Sequence, residues 1–122
     1  SGNDFLWEEE AQFLIKNNHH SEAILLMQSL LEESKNNLFS TLYITEIFIN
    51  FTQDKTTLQT ILSELEKLTK QEMEVEQKAY LYYQQLLCLK KLKEDKKFAE
   101  LKKVATKFYS NYQLDITNLN KI

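Results

Sequence analysis

The residues best equipped for chemistry are His19 and His20, with Glu22 just behind them and Glu8, Glu9 and Glu10 upstream. Imidazoles and carboxylates together are the ligands of a zinc ion or the partners in proton transfer. A zinc site needs three or four ligands that converge. Two adjacent histidines on a turn point apart, so this pair reads as a solvated turn. Neighbouring glutamates on a helix diverge by about 100°, so Glu8-Glu9-Glu10 and Glu32-Glu33 read as solvated faces and dipole partners. Cys88 is the only cysteine. A cysteine nucleophile needs a base and an orienting group. No histidine is near Cys88 in sequence, and its stretch is apolar, so it reads as a small buried or groove-facing thiol. The only glycine is Gly2, which leaves no material for a phosphate-cradling loop, and there is no serine nucleophile elbow. The expectation is a non-enzyme with no catalytic residue, no metal and no cofactor.

Charge is the second chemical signal. Residues 1–35 carry seven acids and two lysines, whereas residues 90–122 carry nine lysines and four acids. The chain is acidic at one end and basic at the other, an arrangement that orients partners or favours head-to-tail contacts. All fifteen basic residues are lysine. Arginine is the preferred fork for guanine and phosphate, so base-specific reading of DNA is not expected. Lys90, Lys91, Lys93, Lys96, Lys97, Lys102, Lys103 and Lys107 could still face a nucleic acid or an anionic membrane, with Tyr80, Tyr82, Tyr83, Phe108 and Tyr109 interleaved. The apolar stripe of the same segment already turns those lysines outward, so neither partner is expected on the sequence. No apolar run approaches the roughly 18 residues that span a bilayer. A lone cysteine excludes an internal disulfide and leaves the compartment open, with the cytoplasm favoured.

These residues must be positioned by helices. The chain has 122 residues, no proline and 43% hydrophobic residues, enough to fill a core. Pro- and Gly-rich turns mark all-β folds, and helices shun both residues. Ser1-Gly2 reads as the remnant of an expression tag, which leaves residues 3–122 as a single helical-repeat domain excised from a longer protein. The periodicity predicts six helices at about 4–16, 22–34, 38–51, 57–71, 75–92 and 96–109. Asp4 and Ser21 are the expected caps of the first two, and Asp54 or Thr56 of the fourth. The third helix is apolar on nearly every side, from Leu38 through Ile44 to Phe51, and is expected to be buried on several faces. Ile116, Leu119 and Ile122 could form a short seventh helix that covers the last hairpin.

A helix–turn–helix pattern recurs three times, with turns at 17–21, 52–56 and 93–97. The first core-facing residues of the second helices are Ala23, Leu58 and Ala99, spaced by 35 and then 41 residues. A period of this order means stacked helical pairs. The hairpins resemble tetratricopeptide repeats, a family of antiparallel helix pairs about 34 residues apart. In the first hairpin Trp7 stands at the family's aromatic, Ala11 at its small residue, Leu14 at the next large one, Ala23 at the alanine of the second helix and Met27 one turn on. The later hairpins depart: Glu46 and then Leu87 replace the small residue, Leu58 replaces the alanine before it returns as Ala99, and the closing proline is absent each time.

The resemblance implies an all-α fold of three stacked antiparallel hairpins with a C-terminal capping helix. It also implies that the first helix of each pair lines a concave groove. Carried over, the groove positions are Glu8, Gln12, Ser40, Tyr43, Ile47 and Asn50 from the first two hairpins, and Leu81, Gln84, Cys88 and Lys91 from the third. Such a groove, apolar in the middle and polar at its rims, suits a protein or peptide partner with a few apolar anchors. The expected role is a non-enzymatic adaptor, assembly or chaperone-like module. The alternatives are the peptide-sensing domain of a bacterial regulator and a lysine-rich domain that contacts nucleic acid or membrane.

Overall fold

Without internal glycine or proline, helices here must be ended by caps and side-chain chemistry. The computed structural model describes residues 6–122; the expected cap Asp4 and the residues Ser1 and Gly2 lie outside them. The described chain is all-α, an arrangement of helical hairpins: α1 (Leu6–Lys16), α2 (His20–Glu33), α3 (Leu38–Phe51), α4 (Lys55–Leu68), α5 (Val75–Lys91), α6 (Asp95–Asn111) and the short α7 (Thr117–Asn120). None of these helices is long and apolar enough to cross a membrane. The chain divides into two compact units, residues 1–61 and 62–122, with the boundary inside α4.

Three helices end on a left-handed residue that is not glycine: Asn18, Lys93 and Gln113, with φ between 55° and 63°. At each, the next residue's amide reaches back five positions, as in His19 N–H to Leu14 O (2.8 Å), Glu94 N–H to Leu89 O (3.0 Å) and Leu114 N–H to Tyr109 O (2.9 Å). This is the Schellman stop, which satisfies carbonyls the helix end would leave bare. The turn after α3 is built differently. Thr52 is buried and its Oγ1 accepts from Asp54 N–H (3.1 Å); Asp54 Oδ2 then accepts from Thr57 N–H (2.9 Å) and Thr57 Oγ1–H (2.7 Å). Asp54 is thus the cap of α4. These hydrogen bonds hold its carboxyl below the usual carboxylate range. Ser21 caps nothing: α2 starts one residue earlier, with His19 at its N-cap and no side-chain cap bond.

In the first unit α1, α2 and α3 pack against one another. Ala11 and Leu14 of α1, Ala23 and Met27 of α2, and Leu42, Phe48 and Ile49 of α3 are buried. The small residues Ala11 and Ala23 let the α1–α2 pair close up. Thr41 Oγ1 donates to Ser34 O (3.0 Å), fastening the start of α3 to the end of α2. The expectation for α3 needs correction. Thr41 and Thr45 are buried, whereas Phe39 and Tyr43 are 49% and 44% exposed. Threonine tolerates burial because its hydroxyl bonds back to the helix, as Thr45 does to Leu42 O (3.0 Å).

The second unit has its own core of Ala79 and Leu86 from α5, Ala105 and Tyr109 from α6, and Leu119 from α7. Tyr109 donates its hydroxyl to Ala79 O (2.8 Å), a buried bond between the two long helices. Lys102 Nζ donates to Leu119 O (2.7 Å) and holds the final turn. The seventh helix therefore forms as expected, with Leu119 buried and Ile116 and Ile122 half-buried. One expected core position of α6 is corrected: Ala99 is exposed, while Ala105 and Tyr109 are buried. Phe98, Leu101, Ala105, Phe108 and Tyr109 make a complete inward stripe at helical spacing, which leaves Ala99 on the opposite side.

Candidate partner-binding face

The first unit carries the better-formed candidate. Residues 8 and 43 are a 35-residue period apart, and Tyr43 Oη donates to Glu8 Oε1 at 2.5 Å. That bond to a carboxylate is the main reason the Tyr43 phenol is held above its ordinary pKa. The Tyr43 ring meets Trp7 edge-on, with centroids 6.2 Å apart and planes at 84°. Trp7 in turn lies parallel to buried Phe48, at 6.3 Å and 5°. Phe48 therefore anchors Trp7, and Trp7 and Glu8 fix Tyr43, which remains 44% exposed. Aromatic pairs in these geometries add to the burial of their surface.

One helical turn further along, Gln12 is exposed and Ile47 is half-buried; Asn50, a second turn on, and Ser40, at the other end, are exposed. The face then runs into a concavity of about 540 Å³ lined by Gln12, Ile15, Lys16, Asn18, His20, Phe51, Gln53 and Asp54. Early residues of α1 and α3 meet at Glu8–Tyr43, and late ones (Ile15, Lys16 and Phe51) line one cavity, so the two helices run parallel. Of the six groove positions of the first two hairpins, Gln12, Ser40, Tyr43 and Asn50 are exposed and Glu8 and Ile47 are half-buried.

Sequence reasoning missed what stands at the end of the face. His20 Nε2 is 3.9 Å from Asp54 Oδ1, with the side chains 32% and 25% exposed. His20 Nδ1 is buried with no hydrogen-bond partner. The reading of both histidines as a solvated turn holds for His19, 48% exposed, and fails for His20. The signal was present: residue 54 follows residue 20 by 34 positions, so the hairpin period that pairs Glu8 with Tyr43 also brings these two helix starts together.

The third hairpin contributes differently. Leu81, Gln84 and Cys88 are buried, at 3%, 0% and 0% exposure, and Lys91 is half-buried. They do not offer an open groove. The reason is that α5 buries more than one face: Ala79 and Leu86 on one, and Leu81, Gln84, Gln85, Cys88 and Leu89 around it. Burial pushes the Cys88 thiol up to about 12 and pulls the Lys91 ammonium down. Cys88 is therefore held as a thiol, the unreactive form. Leu81 still reaches the wall of a concavity of about 550 Å³, with Thr69, Gln71, Glu72, Met73, Lys78, Tyr82 and Gln85. Among the described residues no cluster of three or more His, Cys, Asp or Glu side chains could hold a metal ion.

No family model, no curated protein and no solved structure matches this chain.

Proposed function

We propose that the protein is a non-enzymatic binding module, tetratricopeptide-like in its stacking, whose α1–α3 face takes a peptide or protein segment in an adaptor, assembly or chaperone-like role. The observation that carries this reading is the exposed Tyr43. Its ring is held in place by Trp7 and Glu8, so little conformational entropy is lost when a partner covers it. An ordered aromatic beside half-buried Ile47, rimmed by Glu8, Gln12, Ser40 and Asn50, supplies the apolar anchor site and polar edge on which peptide recognition rests. The concavity at Lys16, His20 and Asp54 extends the face for a side chain that carries a polar or charged tip.

The test is selection of peptides from a random library on the immobilised protein, followed by calorimetric titration of the selected sequences. Tyr43→Ala with Ile47→Ala is expected to abolish binding and leave the far-UV circular dichroism unchanged. Selected peptides that bind the double variant as well as the native protein would sink the proposal.

A further inference from the structure

Two outward helix faces have no role in the reading above. On α2, Glu22, Leu25, Ser29, Glu32 and Glu33 lie on one side at helical spacing and all are exposed. Leu25 is 66% exposed, the most exposed large hydrophobic residue described. On α6 the outward side carries Lys96, Ala99, Lys103, Thr106, Lys107 and Ser110. Lys96, Lys103 and Lys107 have no ion-pair partner among the described residues. Around Lys103, Thr106, Lys107 and Ser110, together with Lys102 and Asn111, lies a shallow dent of about 480 Å³ with no acid in its lining.

The two faces match in sign, span and shape. Glu22 to Glu33 is eleven residues, and so is Lys96 to Lys107; at about 1.5 Å per residue each row is roughly 16 Å long. One face presents an apolar knob between acids, and the other a dent between lysines. With the helices antiparallel and Leu25 opposite Thr106, Glu22 falls within a turn of Lys107. Glu32 and Glu33 then fall between Lys96 and Lys103. The serine and alanine positions, Ser29, Ala99 and Ser110, let the two backbones approach. Three features oppose the match: Glu100 lies in the lysine row, Lys35 already holds Glu32 at 2.8 Å, and His19 Nδ1 stands 3.6 Å from Glu22 Oε1. Glu22 and Glu33 carry the acidic side.

We infer that the occupant of the α6 face is a second copy of this chain, docking its α2 antiparallel on the lysine row. The two faces differ, so the contact is heterologous: the docking copy still offers its α6 and the receiving copy its α2. Exposed charge pairs are individually weak and screened by salt, so the association is weak, concentration-dependent and strongly salt-sensitive.

The experiment is sedimentation velocity over a concentration series in about 20 mM and about 500 mM sodium chloride. At low salt the weight-average sedimentation coefficient is expected to rise with concentration, and at high salt to stay at the monomer value. Lys103→Glu/Lys107→Glu and Glu22→Lys/Glu33→Lys are each expected to be monomeric at low salt. Their equimolar mixture should regain association, because each variant again meets an opposite row. All these positions are at the surface, so the variants retain the native circular dichroism. A native chain that stays monomeric at low salt, or a mixture that fails to recover, overturns the inference. So does binding of duplex RNA or DNA by the lysine row in a chain that does not self-associate.

Discussion

Replacing Phe48 with alanine is the sharpest test of how the first unit is held together. Phe48 is fully buried and lies parallel to Trp7 at 6.3 Å. A buried aromatic removes about 150–250 Å² from water, worth about 4–6 kcal/mol at about 25 cal/mol per Å². Alanine keeps part of that, and the cavity adds to the loss, so about 3–5 kcal/mol is expected. A chain of 122 residues is stable by roughly 6–18 kcal/mol at about 0.05–0.15 kcal/mol per residue, so about a sixth or more of the total disappears. With a urea slope of about 1–3 kcal/mol per molar, the midpoint falls by about 2 M. The assay is urea unfolding followed by Trp7 emission, since Trp7 is the only tryptophan and sits against the deleted ring. The comparison is Phe13→Ala. Phe13 is 60% exposed and its ring neighbour is His19 at 6.5 Å, so that change is expected to cost about 0.5 kcal/mol. If Phe48→Ala loses less than about 1 kcal/mol, or no more than Phe13→Ala, the aromatic column of Phe48, Trp7 and Tyr43 is not what holds the candidate face.

Asp54→Ala should cost about 1 kcal/mol at neutral pH through loss of the α4 cap. The folded-state pKa of Asp54 lies below its ordinary value, so its contribution is complete above about pH 4 and fades as pH falls through the lower folded value. The gap between native and variant stability should therefore narrow in acid, and a gap that widens there would refute this. Cys88, buried with a pKa of about 12, is expected to react with a disulfide reagent only as fast as the protein opens; rapid labelling of the native state would contradict its placement. Lys93→Gly relieves a left-handed residue with φ of 59°. It should add about 0.5–1 kcal/mol after the greater freedom of unfolded glycine is subtracted, seen as a higher urea midpoint. Tyr109→Phe removes the buried bond to Ala79 O and should cost about 1 kcal/mol, whereas Tyr112→Phe, at an exposed ring, should cost nothing measurable.

Much of the helix pattern was legible in the residues. The expected span 38–51 coincides with α3, and the starts of α5 and α6 fall within a residue of the expected ones. The turns at residues 17–21 and 52–56 were readable from polar clusters and from Asp54. The end of α4 was not: helix stops at Leu68, and the polar stretch that follows leads to α5, where Glu74 N–H donates to Gln77 Oε1 at 2.8 Å. Polar residues of good helix propensity look alike inside a helix and just beyond it. The meeting of Glu8 with Tyr43 was legible because the 35-residue period carries position 8 onto position 43.

What the sequence by itself determined is the all-α class, the hairpin period and the amphipathic faces of α4 and α6, because these depend on local propensity and on spacing along one helix. Only the tertiary structure decided which sides of α3 and α5 look outward. Both helices are apolar or aromatic around most of their circumference, so no stripe marks an inner face. Packing then placed Thr41, Thr45, Gln84 and Cys88 inside and left Phe39 and Tyr43 exposed. The hairpin period marks His20 and Asp54 as neighbours, but their 3.9 Å approach belongs to the same class. It depends on two helix starts brought side by side by the stacking of hairpins, a distance that no local pattern along the chain encodes.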